Sequence, residues 1–452
     1  MRPFYLGLLA TVTVLPVPRP AAAQAQAAPA SRPDITSDFQ VILTETVRPL
    51  PEPLAEGQSP GFRIRGIKGW MWRPEQYLAE IPVLVEYKLN FLMNCYGSMW
   101  DLEHFAAGDP RVNRWWEPLP PAKRDAYERI VRACQQAGLQ FCFSLNPGLS
   151  SSRPVKYDDP QDLEALWQHY AWMQGLGVQW FNVALDDITQ GIDASGQVRL
   201  VNAVFRRLRA ADREAKLIFC PTWYWGDGTG AQQRPYLEIL ARELHPDIYV
   251  FWTGDQVVGR VTRKAAESYR EIVKHRLFLW DNYPVNDNQP TMHLGPVVGR
   301  DRDVCEVVDG YMSNPLCTQN EANRIPLLTC ADYAYNPRAY DPARSISQAI
   351  LHLGQSEAQR RALKDLVEAY PGMLLHGGGT GYNPVREQFN RLIAAPHARY
   401  IGELYIRHLE DLQARLEQAF PDRYAATRRT LGDDIAYLRR GLADKYGQVE
   451  AR

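Results

Sequence analysis

The hydrophobic positions between Phe62 and Pro315 gather into eight short, nearly unbroken runs. They begin at Phe62 (FRIRGIKGW), Leu89 (LNFLMNCY), Leu139 (LQFCFSLN), Val178 (VQWFNVAL), Lys216 (KLIFCPTWY), Asp247 (DIYVFWTG), Leu277 (LFLWDNY) and Val308 (VDGYMSNP). A strand covered on one face alternates apolar and polar residues. Runs this continuous read as strands buried on both faces. The segments between them change period. In PAKRDAYERIVRACQQAGL, Ala126, Tyr127, Ile130, Val131 and Cys134 share one helical face, and Gly138 ends the repeat. DPQDLEALWQHY opens with Asp159 as N-cap and Pro160 at the first helical position; its apolar stripe is predicted as Leu163, Leu166, Trp167 and Tyr170. Eight β runs separated by helices predict an α/β chain, a (β/α)8 TIM barrel over residues 61–340. A doubly wound sheet usually has fewer strands, and no G-x-G-x-x-G follows the first run. From residue 341 to 452 the pattern turns helical, which predicts a C-terminal helical bundle packed on the barrel. The loop HGGGTGYNP (His376–Pro384) lacks the Lys-Ser/Thr pair and the preceding strand of a phosphate cradle, and reads as a helix–helix connection.

Ahead of the barrel the chain looks like an address followed by a spacer. Arg2 provides a positive start, Phe4 to Val17 an apolar stretch, and the small residues near Ala23 and Ala25 a cleavage site. Residues 1–25 are therefore expected to be a signal peptide, and the protein to be exported. A stretch of this length falls short of the ~20 residues that span a bilayer, and no later run is long and apolar enough, so no membrane span is expected. Residues 26–60 are rich in Ala, Pro and Ser and read as a linker, with one short strand expected at Gln40–Val47.

Charge narrows the partners. Lys plus Arg number 51 and Asp plus Glu 52, for a net charge of −1. Such a balance gives no reason to expect nucleic acid or an anionic membrane surface as partner. Seven cysteines show no C-x-x-C spacing. Cys95, Cys142 and Cys220 read as buried small hydrophobes; a Cys305–Cys317 bridge is left open. The nine histidines form no H-E-x-x-H and no His/Cys cluster, so neither a metal nor a cofactor is expected.

Barrel enzymes place their chemistry at the C-terminal ends of the strands. The fourth run ends ALDDI, with Asp186 and Asp187. The fifth ends at Tyr224, the sixth at Trp252 and Asp255. The seventh ends with Trp280, Asp281, Asn282 and Asp287, and the eighth with Asn314. Two adjacent carboxylates cannot both ionise cheaply, so one is pushed toward a raised pKa. The bland reading of an Asp-Asp pair is a helix N-cap with an exposed neighbour; the position on a polar barrel rim favours an acid–base pair. Neighbouring aspartates sit on one side of a glycosidic bond. That suits substrate assistance, in which the sugar's own 2-acetamido oxygen attacks the anomeric carbon, better than two carboxylates facing each other across the sugar.

These segments together (ALDDI, FCPTWY, VFWTG, LFLWDNYPVND, the LGP after His293, and SNP) resemble glycoside hydrolase family 84. That family holds the β-N-acetylglucosaminidases, among them O-GlcNAcase-type enzymes and enzymes historically called hyaluronidases. The similarity covers roughly Gly61–Tyr340. It implies a retaining hydrolase releasing β-linked N-acetylglucosamine, or a close N-acetylhexosamine, from glycans or glycoconjugates through an oxazoline. Asp186 would orient the acetamido nitrogen and Asp187 would be general acid, then base. Tyr224 would bond the acetamido oxygen, Trp280 would wall its pocket and Asn282 would contact it. Asp287 would accept from the outer sugar hydroxyls, Asn314 would bond another, and so would the backbone carbonyl of Gly66. The chain departs from the family at two places. The usual Gly-Phe-Tyr-Gly is Gly66-Ile67-Lys68-Gly69, and the usual Pro-Lys-Asp-Asp is Tyr96-Gly97-Ser98-Met99, so a lysine vanishes at position 97 and another arrives at 68. Lys68 shares a strand face with Gly66 and is expected either to replace the lost lysine against the sugar or to pair with Asp101 or Asp287. Two other functions stay open from sequence: a non-catalytic carbohydrate-binding barrel and a hyaluronan-type polysaccharide hydrolase.

Overall fold

The computed structural model describes residues 41–447, except 44–45, 102–111, 189, 373–378 and 396–397. The expected signal peptide, the spacer as far as residue 40 and the first residues of the glycine-rich loop lie outside the described residues. Eight parallel strands close a barrel in chain order: β1 (Ile64–Gly69), β2 (Phe91–Asn94), β3 (Gln140–Leu145), β4 (Trp180–Ala184), β5 (Lys216–Cys220), β6 (Tyr249–Trp252), β7 (Leu277–Pro284) and β8 (Val308–Asn314). The helices around it are α1 (Pro74–Glu86), α2 (Pro121–Gln136), α3 (Pro160–Gly175), α4 (Ala194–Ala211), α5 (Gln233–Glu243), α6 (Arg263–Val273) and α7 (Asn320–Tyr335). The helical region adds α8 (Pro342–Leu353), α9 (Glu357–Ala369), α10 (Pro384–Ala394), α11 (Arg399–Ala419) and α12 (Ala425–Tyr446).

Strand alternation sorts the apolar residues into two populations. On β4, Phe181 and Val183 point outward into the layer beneath the helices, while Trp180 and Ala184 point into the barrel. The interior is an aromatic plug. Phe91 meets Trp180 edge-on at 5.7 Å between ring centroids, Trp180 meets Tyr249 at 5.4 Å, and Phe251 meets Phe278 at 5.4 Å. Such pairs add about 0.5–1.5 kcal/mol each beyond their burial, and they give the upper end of the barrel a solid floor. A third buried cluster belongs to the helical region and includes Leu363, Phe389, Leu412 and Leu438.

The sequence reading of α2 matches the structure residue for residue: the five expected positions are its buried face. That of α3 needs correction. Asp159 does cap it, accepting from the Gln161 N–H, but the buried face is Leu166, Tyr170 and Met173 with Asp162 and His169; Leu163 and Trp167 lie at its edge. Asp162 turns the helix, because its carboxylate is inside, accepting from the Lys156 N–H at 2.9 Å and pairing with Arg153. Nor is there a strand among the described residues of Gln40–Val47. That segment lies along α8 and hydrogen-bonds to side chains: the Ile42 N–H donates to Ser347 Oγ at 3.0 Å and the Arg48 N–H to Gln348 Oε1 at 2.8 Å. All seven cysteines are free thiols, which closes the Cys305–Cys317 question.

Asp281 of β7 points away from the barrel mouth. It is buried and bound by Arg300, whose Nε donates at 3.0 Å, and by the Tyr311 hydroxyl at 2.9 Å. The pair ties β7 to the chain leaving its upper end. Arg300→Met strands a buried carboxylate and is expected to cost about 3–5 kcal/mol, read by guanidinium chloride unfolding against wild type. A loss below ~1 kcal/mol would show the pair to be dispensable.

Candidate active site

The strands deliver their last inward residues to one small cavity of about 190 Å³ at the C-terminal mouth of the barrel. Lys68, Asp186, Asp187, Tyr224, Trp280, Asn282, Asp287 and Asn314 all line it, so eight of the nine residues expected to meet the sugar come together. Gly66 does not. It lies one layer deeper in β1, where an added Cβ would fall 1.9 Å from the Phe91 carbonyl oxygen, so its glycine is explained by the close approach of β1 to β2. Trp252 and Asp255 also stand elsewhere. Trp252 is buried with its indole N–H on the Gly226 carbonyl at 2.8 Å, and Asp255 accepts from the backbone and hydroxyl of Thr262, the N-cap of α6. Trp70, Tyr96, Val257, Val258 and Val285 complete the wall.

Inward alternation on β4 continues one step past the strand, so Asp186 points over the aromatic plug. It is buried, and both of its oxygens are engaged: Tyr96 Oη donates to Oδ2 at 2.7 Å and Asn146 Nδ2 to Oδ1 at 2.9 Å. The Asn146 amide is fixed in that orientation, since its own Oδ1 accepts from the backbone N–H groups of Gly148 and Leu149. Two donors aimed at one carboxyl favour its charged form. Asp187 follows with φ 59°, a left-handed conformation that Asp tolerates better than most residues. Its carboxyl faces the cavity and accepts from Tyr224 Oη at 2.9 Å on Oδ1 only. Burial pushes both carboxyls above the ordinary range, and the repulsion between the two charges raises whichever ionises second further; the Tyr96 and Tyr224 hydroxyls and Lys68 pull the other way. The arrangement separates two identical residues into an enclosed carboxyl held on both oxygens and a cavity-facing carboxyl held on one.

Neither Tyr96 nor Asn146 was picked out individually from sequence. Tyr96 stands in a one-turn 3-10 segment after β2, and Asn146 just past β3, where no periodicity marks them. Gly97 is packed away from the cavity, with an added Cβ only 2.4 Å from Met71 Sδ. A lysine of the neighbouring strand lines the cavity. Lys68 is 1 % exposed, and its ammonium lies 4.0 Å from the Trp280 ring centroid, 4.4 Å from that of Trp70 and 5.6 Å from that of Tyr96. Among the described residues it forms no ion pair with Asp101 or Asp287. Across the cavity, Asn314 Nδ2 donates to Asn282 Oδ1 at 2.7 Å, and Asn282 Nδ2 donates to the Val257 carbonyl at 2.7 Å. Asn314 Oδ1 and the indole N–H groups of Trp70 and Trp280 are buried without a protein partner, a pattern that a polar ligand would complete. No group of three or more His, Cys, Asp or Glu able to hold a metal occurs among the described residues.

The family model described as "NAGidase: beta-N-acetylglucosaminidase" matches residues 64–368, about two thirds of the chain. The chain belongs to that family. The rat and mouse proteins named Protein O-GlcNAcase are each 25 % identical over 284 residues, covering 60 % of this chain and 29 % of their own. The chain thus spans less than a third of the length of these relatives. Among solved structures, a mutant of the Thermobaculum terrenum O-GlcNAc hydrolase superposes with a TM-score of 0.66 at 24 % identity, covering 84 % of each chain. CpGH84B gives 0.64 at 24 % identity, covering 85 % of this chain and 68 % of the other. At this identity the superpositions establish the shared barrel and nothing finer.

A carboxyl whose folded-state pKa is raised costs stability when ionised. The cost is absent below the unfolded pKa near 4 and is fully present above the raised folded value. Asp187→Asn removes one of the two charges while keeping an acceptor for Tyr224. It is expected to be more stable than wild type at pH 7, on the order of 1 kcal/mol after allowance for the solvent reaching this carboxyl. The gain should fade as pH falls toward 4. Denaturant unfolding at the two pH values checks this; a variant less stable than wild type at pH 7 would show that the pair is not under electrostatic stress.

Proposed function

We propose that this site removes terminal β-linked N-acetylglucosamine, or a close N-acetylhexosamine, with retention of configuration by substrate assistance. The observation that carries the reading is the unequal hold on the two adjacent aspartates. Asp186, ionised and held by Tyr96 and Asn146, accepts the acetamido N–H and turns the acetamido oxygen toward the anomeric carbon. As that C–O bond forms, the glycosidic bond breaks and Asp187 passes its proton to the leaving oxygen, giving the free aglycone and a protonated oxazoline (an oxazolinium) whose N–H stays on the Asp186 carboxylate. Asp187, now a carboxylate, takes a proton from water as the water attacks the anomeric carbon and opens the ring. Both displacements occur at one carbon, so configuration is kept. Tyr224 and Asn282 contact the acetamido group, with Trp280 as its apolar wall, and Asp287 and Asn314 hold the outer hydroxyls.

The names of the relatives, O-GlcNAcase and O-GlcNAc hydrolase, support N-acetylglucosamine as the sugar. The cavity supports action on chain ends: about 190 Å³ is below the ~300–1,000 Å³ typical of pockets for drug-sized ligands, enough for one ring rather than a stretch of hyaluronan. A purely sugar-binding barrel would have no use for a carboxyl pair kept at odds with its own charge. The N-terminal 25 residues support an exported enzyme.

Two tests follow from the assigned roles. Aryl β-glycosides of N-acetylglucosamine should be cleaved and the corresponding glucosides should not, because glucose has no acetamido nucleophile. Asp187→Asn should cost about 10²–10⁴-fold with poor leaving groups and far less with an acidic phenol, whereas Asp186→Asn should depress both alike. Equal activity on glucosides, or the same leaving-group dependence in both variants, would contradict the mechanism.

Lys68 has a proposed role in the same pocket. Its contacts to the rings are worth about 0.5–2 kcal/mol, little enough to be exchanged for a charged hydrogen bond to a sugar hydroxyl. Lys68→Met keeps the stem and deletes the charge. It should lower kcat/KM about 10–150-fold, from the ~1.5–3 kcal/mol of such a bond, with a single cooperative thermal melt retained. Unaltered kinetics would remove lysine from substrate recognition.

A further inference from the structure

A leaving group lies on the side of the acid that protonates it. In the mechanism above that acid is Asp187, which lines the cavity beside Tyr224. Trp225, outside the cavity lining, packs edge-on against the Tyr224 ring at 5.0 Å between centroids and against the Trp223 ring at 5.1 Å. Trp225 packs with the cluster inside the barrel and Trp223 with the layer beneath the helices, so the Trp225 ring links the mouth to the outer rim. Both indoles are half-buried. Trp223 in turn lines a groove of about 640 Å³ at the N-terminal ends of α4 and α5. Its lining mixes apolar Ile192, Pro235 and Ile239 with polar Ser195 and Gln232. Ile192 is 39 % exposed there although it is apolar.

The segment that carries these rings is irregular, yet four consecutive carbonyls in it each accept a hydrogen bond. Trp223 O accepts from Tyr269 Oη at 2.6 Å, Tyr224 O from the Thr253 N–H at 2.9 Å, Trp225 O from Gln233 Nε2 at 3.3 Å and Gly226 O from the Trp252 indole N–H at 2.8 Å. The platform is therefore set before any ligand arrives, and binding on it costs little ordering of the protein. Its chemistry favours a sugar over a peptide. A pyranose offers an apolar C–H face ringed by hydroxyls, which matches an indole beside mixed polar and apolar walls. A peptide backbone asks for a row of donors and acceptors, and the closed barrel presents no strand edge to supply one.

We propose that Trp225 is the platform for the leaving group and that this group is itself a sugar. The second ring of a β-N-acetylglucosamine-terminated oligosaccharide stacks on Trp225, and the third lies in the groove past Trp223. The proposal rests on the reading that the cavity holds a terminal hexosamine, and its test separates the two. The substrates are methyl β-N-acetylglucosaminide, the β-1,4-linked di- and trisaccharides of N-acetylglucosamine, and a peptide bearing N-acetylglucosamine on serine. Trp225→Ala should lower the ratio of kcat/KM for the disaccharide to that for the methyl glycoside about 10-fold, and Trp225→Phe should restore it to within about 3-fold. Ile192→Ser, at an exposed position, should lower the ratio of trisaccharide to disaccharide about 3–10-fold; it decides alone if Trp225→Ala fails to fold. An unchanged ratio in either variant would overturn the proposal. So would an equal loss on methyl glycoside and disaccharide, which would reduce Trp225 to a support for Tyr224, or a loss confined to the peptide, which would make a polypeptide the occupant. A wild type that cleaves none of the four would instead sink the functional reading. Calorimetric titration with the trisaccharide would then decide the platform: Trp225→Ala should bind it about 10-fold more weakly than wild type, and equal affinity, or no binding by wild type, would refute it.

Discussion

One electrostatic constraint governs the mouth of this barrel: two carboxyl groups stand on consecutive residues, Asp186 buried and Asp187 opening to the cavity. Two ionised neighbours there would be costly. The structure resolves the conflict by giving the two residues different surroundings. Asp186 follows the inward alternation of β4 and meets a tyrosine hydroxyl and an oriented amide, one on each oxygen. Asp187 is turned by a left-handed backbone toward the cavity, with one tyrosine on one oxygen. Lys68 offsets what charge remains, drawing down Asp186, Asp187 and Asp287 alike.

The remainder of the fold keeps that arrangement in place. The aromatic plug inside the barrel prevents the mouth from collapsing inward, and Phe251 meets Trp280 edge-on at 5.2 Å to fix the cavity wall. The buried Asp281–Arg300 pair secures the other face of β7. Above it, the loop bearing Asp287 is pinned by hydrogen bonds and apolar burial in the helical region. Barrel and helices are joined just downstream of Asp287.

Much of this was legible in the chain because strands buried on both faces leave an unmistakable trace. All eight were visible as apolar runs, and counting to their ends placed Asp186, Asp187, Tyr224, Trp280, Asn282 and Asn314 on one rim. The same alternation, applied more strictly, also separates Trp280 and Asn282, which face the cavity, from Asp281, which faces Arg300. Other misses had no such signal. Tyr96 and Asn146 lie in irregular segments just past their strands, so only the folded chain shows that both aim at Asp186. The hydrophobic stripe of α3 was misjudged because Asp162, a residue expected outside, is drawn in by the Lys156 N–H and Arg153. The segment after Gln40 satisfies its backbone on the side chains of α8, which its composition does not announce.

The division of labour between the two aspartates is the centre of the account, and carboxyl titration reads it without substrate. With aspartate labelled at the side-chain carbonyl carbon, carbon-13 spectra across pH 3–9, compared among wild type, Asp186→Asn and Asp187→Asn, follow each group directly. The expected result is two well-separated steps for the pair in wild type, the upper one, above the ordinary carboxyl range, on Asp187, and a fall in the Asp187 pKa once Asp186 is replaced. Two carboxyls that titrate together near 4 in wild type, each indifferent to replacement of the other, would contradict it.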